Sequence, residues 1–470
     1  MSVQFLVSSV VTDLTGFFRA VATEPFAMLL DSAAPGHPNS RYDILVCRPL
    51  ACLTAVGRHC QVHYSDAAQS RDQVSDADPF ALLKQLQLAL LPQLPADVTG
   101  LPFVGGAVGF FGYDLGRVTE KMPELALADI KVPDLAIGIY RHALVLDKQL
   151  KQLWFVDAAG QAEHQFPLFQ PLFADALQSQ PHQPSAAGFA LTTPWQANMS
   201  QTDYLQKFDR IQQYLQSGDC YQINLAQRFT AGFQGDAYSA YLQLRQANQA
   251  PFSAFIRLAD AAVLSISPER FIEVRSGQVE TKPIKGTKPR FTDPLLDTQS
   301  AEALRQSAKD RAENVMIVDL LRNDLGKVCT PGTVRVPALF AIESFPAVHH
   351  LVSTVTGQLD AQHQPIDALR AAFPGGSITG APKVRAMQII EELEPHRRSV
   401  YCGAIGYISQ HGHMDTNIAI RTLVVADQQI HCWAGGGIVA DSQGAAEYQE
   451  TYDKVGKILP VLLQDGGHHP

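Results

Sequence analysis

Two side chains with complementary proton chemistry stand at the open end of one predicted hairpin. Residues 268–287 read Pro-Glu-Arg-Phe-Ile-Glu-Val-Arg-Ser-Gly-Gln-Val-Glu-Thr-Lys-Pro-Ile-Lys-Gly-Thr. Phe271 to Arg275 and Gln278 to Ile284 have strand composition, and Ser276-Gly277 between them is a turn signal. Folding back at that turn sets the Glu269 end beside the Lys285 end. A two-residue loop pairs Glu269 with Ile284, a three-residue loop pairs it with Lys285, and Pro283 loosens the ladder by removing a donor. A lysine of ordinary pKa, about 10.4, is protonated and a poor nucleophile at neutral pH. Desolvation lowers that value, and a neighbouring carboxyl can protonate a departing hydroxyl. An ordinary surface ion pair is the competing reading, and spacing alone leaves both open.

Carboxylates recur at helical spacing in two further places. Asp310 and Glu313 fall three apart in a predicted helix from Ser307 to Gly326. Glu447, Glu450 and Lys454 share one face of a second predicted helix, Ala445 to Leu463. Like charges three apart weaken a helix slightly unless something binds them, and a hard divalent cation with oxygen ligands would. A solvated helix face is the alternative. Phe373-Pro-Gly-Gly-Ser-Ile-Thr-Gly-Ala-Pro-Lys383 is a glycine-rich loop leading into a predicted helix, Val384 to Leu393. Free N–H groups at such a junction bind carboxylate or phosphate. Ala381 follows Gly380 where a Walker loop needs lysine. Ala434-Gly-Gly-Gly-Ile438 permits close approach of a ligand to the backbone. Either glycine run is also compatible with a plain structural turn. Arg421, placed at a strand end, suits bidentate capture of a carboxylate.

These groups need a scaffold. Before residue 177 short alternating segments predominate: Tyr42 to Cys47, Ile137 to Leu146, Leu153 to Val156. They predict antiparallel strands. Leu177 to Gln196 is uncharged and rich in Pro, Gln, Ser and Ala, which marks a boundary. After it Ser200-Gln-Thr-Asp203 forms a capping box, and Tyr204, Phe208, Ile211 and Leu215 make an apolar helical stripe. Hairpins and helices then mix without regular βαβ alternation. The expectation is an α+β fold with large antiparallel sheets, not a doubly wound one. The glycines of Gly105-Gly106-Ala-Val-Gly109-Phe-Phe-Gly112 lack dinucleotide-binding spacing.

Composition narrows the function classes. The 470 residues are 46% hydrophobic and 18% charged, so a large core is affordable and disorder is excluded. A net charge of -9 argues against nucleic-acid partners. The opening Met-Ser-Val-Gln-Phe-Leu-Val lacks a basic n-region and Asp13 interrupts the apolar run, which predicts a strand and turn and no signal peptide. No uncharged run approaches a membrane span. Cys47, Cys52, Cys60, Cys220, Cys329, Cys402 and Cys432 form no CxxC pair, and an odd scattered set predicts reduced thiols and a cytoplasmic location.

Taken in order, several blocks resemble the chorismate-utilising enzymes. They are Gly218-Asp-Cys-Tyr-Gln-Ile-Asn-Leu, Ser267-Pro-Glu-Arg-Phe, Pro283-Ile-Lys-Gly-Thr, Ala312-Glu-Asn-Val-Met-Ile-Val-Asp-Leu-Leu-Arg-Asn-Asp-Leu, Val348-His-His-Leu-Val-Ser, Phe373 to Lys383, Tyr401-Cys-Gly-Ala-Ile-Gly, Ile418-Ala-Ile-Arg-Thr and Ala434-Gly-Gly-Gly-Ile. Leu29-Leu-Asp-Ser32 and Phe110-Phe-Gly-Tyr-Asp-Leu-Gly116 extend the likeness to the first half. The resemblance implies two packed antiparallel sheets ringed by helices. It implies a region 1–185 that carries tryptophan-site elements and lends strands to the shared sandwich, and a chorismate-binding catalytic region 197–465.

Family roles then fall on particular positions. Mg2+ would lie on Glu313 and Glu450, with Glu447 adjacent. Substrate would be held by Ser377, Thr379, Tyr401, Arg421, Lys454, Thr287 and the glycines Gly435, Gly436 and Gly437. His350 would stand near the ring, with a satisfied core histidine as the competing reading, and His349 would point elsewhere. Leu30, Ser32, Tyr42, Pro251, Phe252 and Ser253 resemble the family's tryptophan site. Two positions choose a branch. Gln222 stands where water-adding members resemble one another in a lysine, and Lys285 stands where anthranilate synthases have alanine. The branch implied is the aminodeoxychorismate synthases: Lys285 attacks chorismate, Glu269 protonates the leaving hydroxyl, and ammonia displaces the lysine. None of the cysteines lies in a Gly-x-Cys-x-Gly elbow, so a glutamine amidotransferase subunit is expected to supply the ammonia. The alternatives are anthranilate synthase component I and a non-catalytic tryptophan-binding scaffold subunit.

Overall fold

The computed structural model describes residues 2–8, 11–65, 72–94, 100–177, 188–345 and 348–463. Half of the uncharged boundary segment, 178–187, lies outside the described residues. Alternation of apolar side chains explains the architecture. Along Ala261–Ser267, Ala261 and Val263 join one core while Ala262, Leu264 and Ile266 join another. Along Tyr42–Val46, Ile44 and Val46 take the first core and Leu45 the second. Such strands are buried on both faces, with side chains alternating at a period of two. The first core draws on both of two large antiparallel sheets, and the second lies between one sheet and helices such as Ala162–Phe169 and Ala237–Asn248. Among the described residues one sheet has 13 strands and the other 12. The fold is the expected α+β arrangement of two sheets surrounded by helices.

Strands from both ends of the chain meet in each sheet. Met28–Asp31 pairs with Phe252–Arg257, and Gly106–Phe111 pairs with Ala404–Ser409. Two crossings between the sheets matter most. The chain leaves Ala261–Ser267 in one sheet and enters Arg270–Arg275 in the other, leaving Glu269 on the link. It returns from Met414–Ile418 to Thr422–Ala426, leaving Arg421 on that link. The links are tied together: Ile418 N donates to Glu269 O at 3.0 Å and Ile266 N to Arg421 O at 3.1 Å. An acid and a cation are thus fixed side by side at the junction of two rigid sheets.

Local signals hold well. Ser200 and Asp203 form the capping box, and Ser307 accepts from Asp310 N to start the helix Ala308–Gly326. Several expectations need correction. The run 137–146 is two strands in different sheets, Leu135–Tyr140 and His142–Asp147, broken where Arg141 turns out to bond Asp157 at 2.8 Å. The last long helix, Gly444–Val455, stops eight residues before the expected Leu463, at Gly456 and ahead of Pro460. Tyr214, not Leu215, completes the buried stripe of Gln201–Gln216. After Asp13 the chain forms a short helix, Thr15–Arg19, with Asp13 accepting from Thr15 N. The second glycine run is not a turn at all but part of the strand Gln429–Ile438.

Candidate active site

The hairpin closes with a two-residue loop: Val274 pairs with Val279 and Arg275 with Gln278. That register points Glu269 at Ile284, whose backbone N–H favours the charged form of the Glu269 carboxyl. Pro283 ends the ladder there, since the paired strand stops at Thr281. The strand Ile284–Pro289 then pairs with Val348–Gln358, with a bulge between Lys285 and Thr287. Gly286 sits in that bulge at φ 75°, and a Cβ there would come within 2.7 Å of Asp310 Cγ. Only glycine combines this left-handed turn with so close an approach. The turn brings Lys285 toward Glu269 after all. Lys285 Nζ donates to Ser377 O at 3.2 Å, and Ser377 Oγ reaches Glu269 Oε1 at 3.4 Å.

Burial acts on both members of this pair. Burial pushes the Glu269 carboxyl up to about 7, against the pull of the Lys285 charge and the Ser377 hydrogen bond. Burial likewise pulls the Lys285 amine below its ordinary value, opposed by the Glu313 and Glu269 charges. Near neutral pH the carboxyl can hold a proton, and the amine gives up its proton more readily than an ordinary lysine does.

Ser377 belongs to the loop between Pro365–Ala372 and Lys383–Leu393. It is braced by groups the sequence reading passed over. Asn224 Nδ2 donates to Ser377 O at 3.0 Å. Arg398, buried and paired with Glu394 at 2.7 Å, donates to Ile378 O at 2.9 Å. Gln222 and Asn224 lie two apart on one strand, so their shared face was available from spacing. Nothing in the pattern marks Glu394 and Arg398 as buried rather than as a solvated i,i+4 pair. Thr379 does not present its hydroxyl to a ligand. It is fully buried and donates to Gly375 O at 3.0 Å, while its own carbonyl accepts from Asn224 N.

The three expected metal ligands lie in one neighbourhood. Burial raises the Glu313 carboxyl, with Lys285 and Lys309 opposing and Glu447 adding to the rise. Burial also raises Glu447, with the Ser442 hydrogen bond opposing and Glu450 adding. A Cβ at Gly436 would come within 3.1 Å of Glu450 Oε1 and 3.2 Å of Glu447 Oε2. The glycine is therefore what lets these carboxylates close on the strand. Lysines stand among them: Lys454 is 2.7 Å from Glu450 Oε1 and Lys309 is 3.9 Å from Glu447 Oε1. Among the described residues no three ligating side chains converge tightly enough to hold an ion as they stand. Glu447 Oε2 is nonetheless buried with no hydrogen-bond partner. An orphaned carboxylate oxygen beside two more carboxylates has the donor chemistry a hard divalent cation requires.

The remaining expected contacts are spread around this centre. Lys454 donates to Gly435 O at 2.6 Å. A Cβ at Gly437 would come within 2.5 Å of Gln222 Nε2, so that glycine admits the Gln222 amide. Arg421 sits at φ 49° with no ion pair of its own among the described residues; desolvation lowers its proton affinity and Glu269 opposes this. An uncompensated guanidinium beside a carboxyl that is neutral near pH 7 is ready for an anionic substrate group. His350 contacts Thr287 Oγ1 at 2.9 Å through Nδ1, and burial, aided by Arg421, lowers it to about 4. It is therefore neutral at pH 7. His349 turns away, to Ser344 and Asp297. Tyr401 is buried, its ring stacked on Trp433 at 6.0 Å.

A separate cavity of about 450 Å³ contains Leu30, Ser32, Tyr42, Pro251, Phe252 and Ser253 in its wall. All six residues expected at a tryptophan site thus line one space. Both serine hydroxyls are engaged, Ser32 Oγ to Tyr42 O and Ser253 Oγ to Ala250 O. Arg270, the neighbour of Glu269, also lines this cavity and lies over the Phe252 ring at 5.2 Å.

Comparison with known proteins bears on this arrangement. A family model described as chorismate binding enzyme matches residues 27–460. Aminodeoxychorismate synthase component 1 of Klebsiella aerogenes is 53% identical over 446 residues, spanning 95% of this chain and 96% of that protein. The protein of the same description from Escherichia coli strain K12 is 53% identical over 450 residues, spanning 95% of each. Among solved structures, anthranilate synthase component I from Streptococcus pneumoniae TIGR4 superposes with a TM-score of 0.77 at 31% identity, over 90% of this chain and 93% of that one.

Proposed function

The chain belongs to the chorismate-binding enzymes, and we propose that it is the subunit that converts chorismate and ammonia to 4-amino-4-deoxychorismate through a covalent Lys285 adduct. The observation that carries the reading is the amine–acid couple. Lys285 Nζ and the Glu269 carboxyl bond the backbone oxygen and the hydroxyl of the same residue, Ser377, and burial shifts each toward its neutral form. Identity of 53% over nearly the full length to two aminodeoxychorismate synthases supports it.

In the first step the Lys285 amine bonds C2 of chorismate, both conjugated ring double bonds shift by one position, and the C4–O bond breaks. Glu269 delivers the proton with which that oxygen leaves as water. Ammonia then bonds C4, both double bonds shift back, and the C2–Nζ bond breaks. The proton lost by the incoming nitrogen returns to Glu269. Covalent catalysis divides one difficult substitution into two displacements and blocks C2 against the amine. Arg421 and the N–H groups of the 375–379 loop hold the substrate's carboxylates. Neutral His350 lines the ring without adding charge. Glu313, Glu447 and Glu450 would hold Mg2+, which neutralises and orients a substrate carboxylate when bound.

Ammonia comes from a partner in this reading. Six of the seven cysteines are buried and none lies in a nucleophile elbow, so this chain supplies no glutaminase thiol. Product analysis tests function and partner together. With chorismate, Mg2+ and ammonium the chain alone is expected to form aminodeoxychorismate; with glutamine instead of ammonium it is expected to need an added glutaminase subunit. Anthranilate as the product sinks the assignment, and turnover of glutamine by the chain alone sinks the partner.

Tryptophan is the proposed occupant of the second cavity, which is of a size typical for small-ligand sites. Heat-denatured purified protein should release it in near-equimolar amount, read by mass spectrometry of the supernatant. A supernatant free of tryptophan, from protein purified without it and then offered it at saturating concentration, counts against the site. No helix among the described residues is long and apolar enough to cross a membrane, and a cytoplasmic setting matches the unpaired thiols.

A further inference from the structure

The Lys285 amine must do more than lose a proton: its lone pair must face the substrate. The structure shows what turns it. Alternation along Gln222–Gly235 puts Gln222 and Asn224 on one face, while Ile223 and Leu225 pack on the other, under helices Gln201–Gln216 and Lys383–Leu393. The hydrogen bonds on the amide face have one consistent direction. Ser377 O can only accept, so Asn224 presents its Nδ2 to it, at 3.0 Å. Asn224 Oδ1 is thereby the atom turned to Gln222, and Gln222 Nε2 donates to it at 3.1 Å. Gln222 is fully buried, and its Oε1 has no hydrogen-bond partner, so Asn224 Oδ1 is the group its amide engages. Glycine at 437 makes the room, since a Cβ there would lie 2.5 Å from Gln222 Nε2 and 2.9 Å from Asn224 Oδ1. The end of this chain of amides is the oxygen that also receives Lys285 Nζ, at 3.2 Å. The next carbonyl along, Ile378 O, is held by Arg398 at 2.9 Å, which steadies the loop on the C-terminal side of that peptide.

We propose that Gln222 and Asn224 form a positioning relay that aims the Lys285 amine through the Ser377 carbonyl. This rests on Lys285 as the attacking amine. One Lys285 N–H points at a fixed oxygen, which restricts where the lone pair can face. Asn224 shares that oxygen and draws on its electron density. A shared oxygen accepts less strongly from an ammonium, which gains more than a neutral amine does from a good acceptor. Loss of the Asn224 donor therefore both loosens the amine and favours its protonated form.

Two variants separate this from a packing role. Asn224→Leu, similar in size, removes the donor without adding charge. Gln222→Glu touches neither Lys285 nor Ser377 directly; it turns an acceptor toward Asn224 Oδ1, so the Asn224 amide must rotate and set its oxygen against Ser377 O. Wild type, both variants and Lys285→Ala are mixed with chorismate and Mg2+, quenched rapidly and read by intact mass, alongside steady-state amination across pH. For both relay variants adduct formation is expected to slow by about ten- to a hundredfold, as for a small misplacement of a reacting group. KM for chorismate should stay within about threefold, and the rising limb of the kcat profile, set by Lys285, should move to higher pH. Folding is checked by near-ultraviolet circular dichroism, and Asn224→Asp, isosteric with the original, replaces the leucine variant if that one is misfolded. Folded variants with wild-type adduct rates and an unmoved limb overturn the relay, and so does a raised KM at unchanged kcat, which would make the pair a chorismate contact. If Lys285→Ala itself retains full amination, the nucleophile reading falls first, whatever the amide variants do.

Discussion

Lys285→Ala is expected to lower aminodeoxychorismate formation by about a thousandfold or more, the scale on which an enzyme loses rate when a covalent nucleophile is removed. The adduct seen by intact mass with the wild-type chain should vanish as well. A second consequence follows from the chemistry at C2. With the lysine gone that carbon is no longer occupied, and ammonia held nearby can attack it, so what turnover remains should shift toward anthranilate. Lys285→Arg separates charge from nucleophilicity. A guanidinium keeps the positive charge that Glu269 and Glu313 face but stays protonated at any accessible pH. The arginine variant should therefore be as inactive as the alanine one, and form no adduct. If it retains more than about a tenth of the activity, Lys285 acts by its charge and the covalent scheme is wrong.

How much of this was legible in the sequence depends on the range of the forces involved. Ser200 with Asp203 and Ser307 with Asp310 are contacts three residues apart, and both caps form as their residue types dictate. The approach of Glu269 to Lys285 was legible to within one residue, since Ser276-Gly277 and Pro283 bound the register between them. What closed the remaining gap was Gly286, whose left-handed bulge depends on the packing of Asp310 and Leu304 against it. The break at Arg141 was not legible because both halves of 137–146 carry the same alternation; only Asp157, on another strand, selects the point at which the chain changes sheet. The glycines at 435–437 suggested a turn by preference, but they lie in a strand, where the neighbouring backbone closes on 435 and the Gln222 amide on 437. The site itself arises from two crossings between sheets, a property of topology that no local pattern carries.

The acid makes the second large prediction, and pH gives it a sign. Glu269→Gln is expected to lower kcat/KM for amination by about a hundred- to ten-thousandfold, the range for loss of a positioned general acid. In the wild type Glu269 must carry its proton when the C4 oxygen leaves, so activity should fall as pH rises through about 7. Lys285 must be neutral, so activity should rise with pH through that group's lowered value. The two limbs belong to a coupled pair and give one maximum. The glutamine variant should lose the falling limb and keep the rising one. Stability gives an independent check. The folded carboxyl holds its proton to about 7, whereas the unfolded one, with its ordinary value of 4.5, releases it lower down. Across that window the folded state binds the extra proton, so the contribution of Glu269 to wild-type stability falls as pH rises from 4.5 to about 7, by about 3 kcal/mol. Glutamine is neutral throughout and escapes the loss. Thermal melts should therefore show variant and wild type nearly equal at the acid end of the window and the variant more stable above its alkaline end. A variant that melts below the wild type above pH 7, or that retains the falling limb, would show that another group supplies the proton.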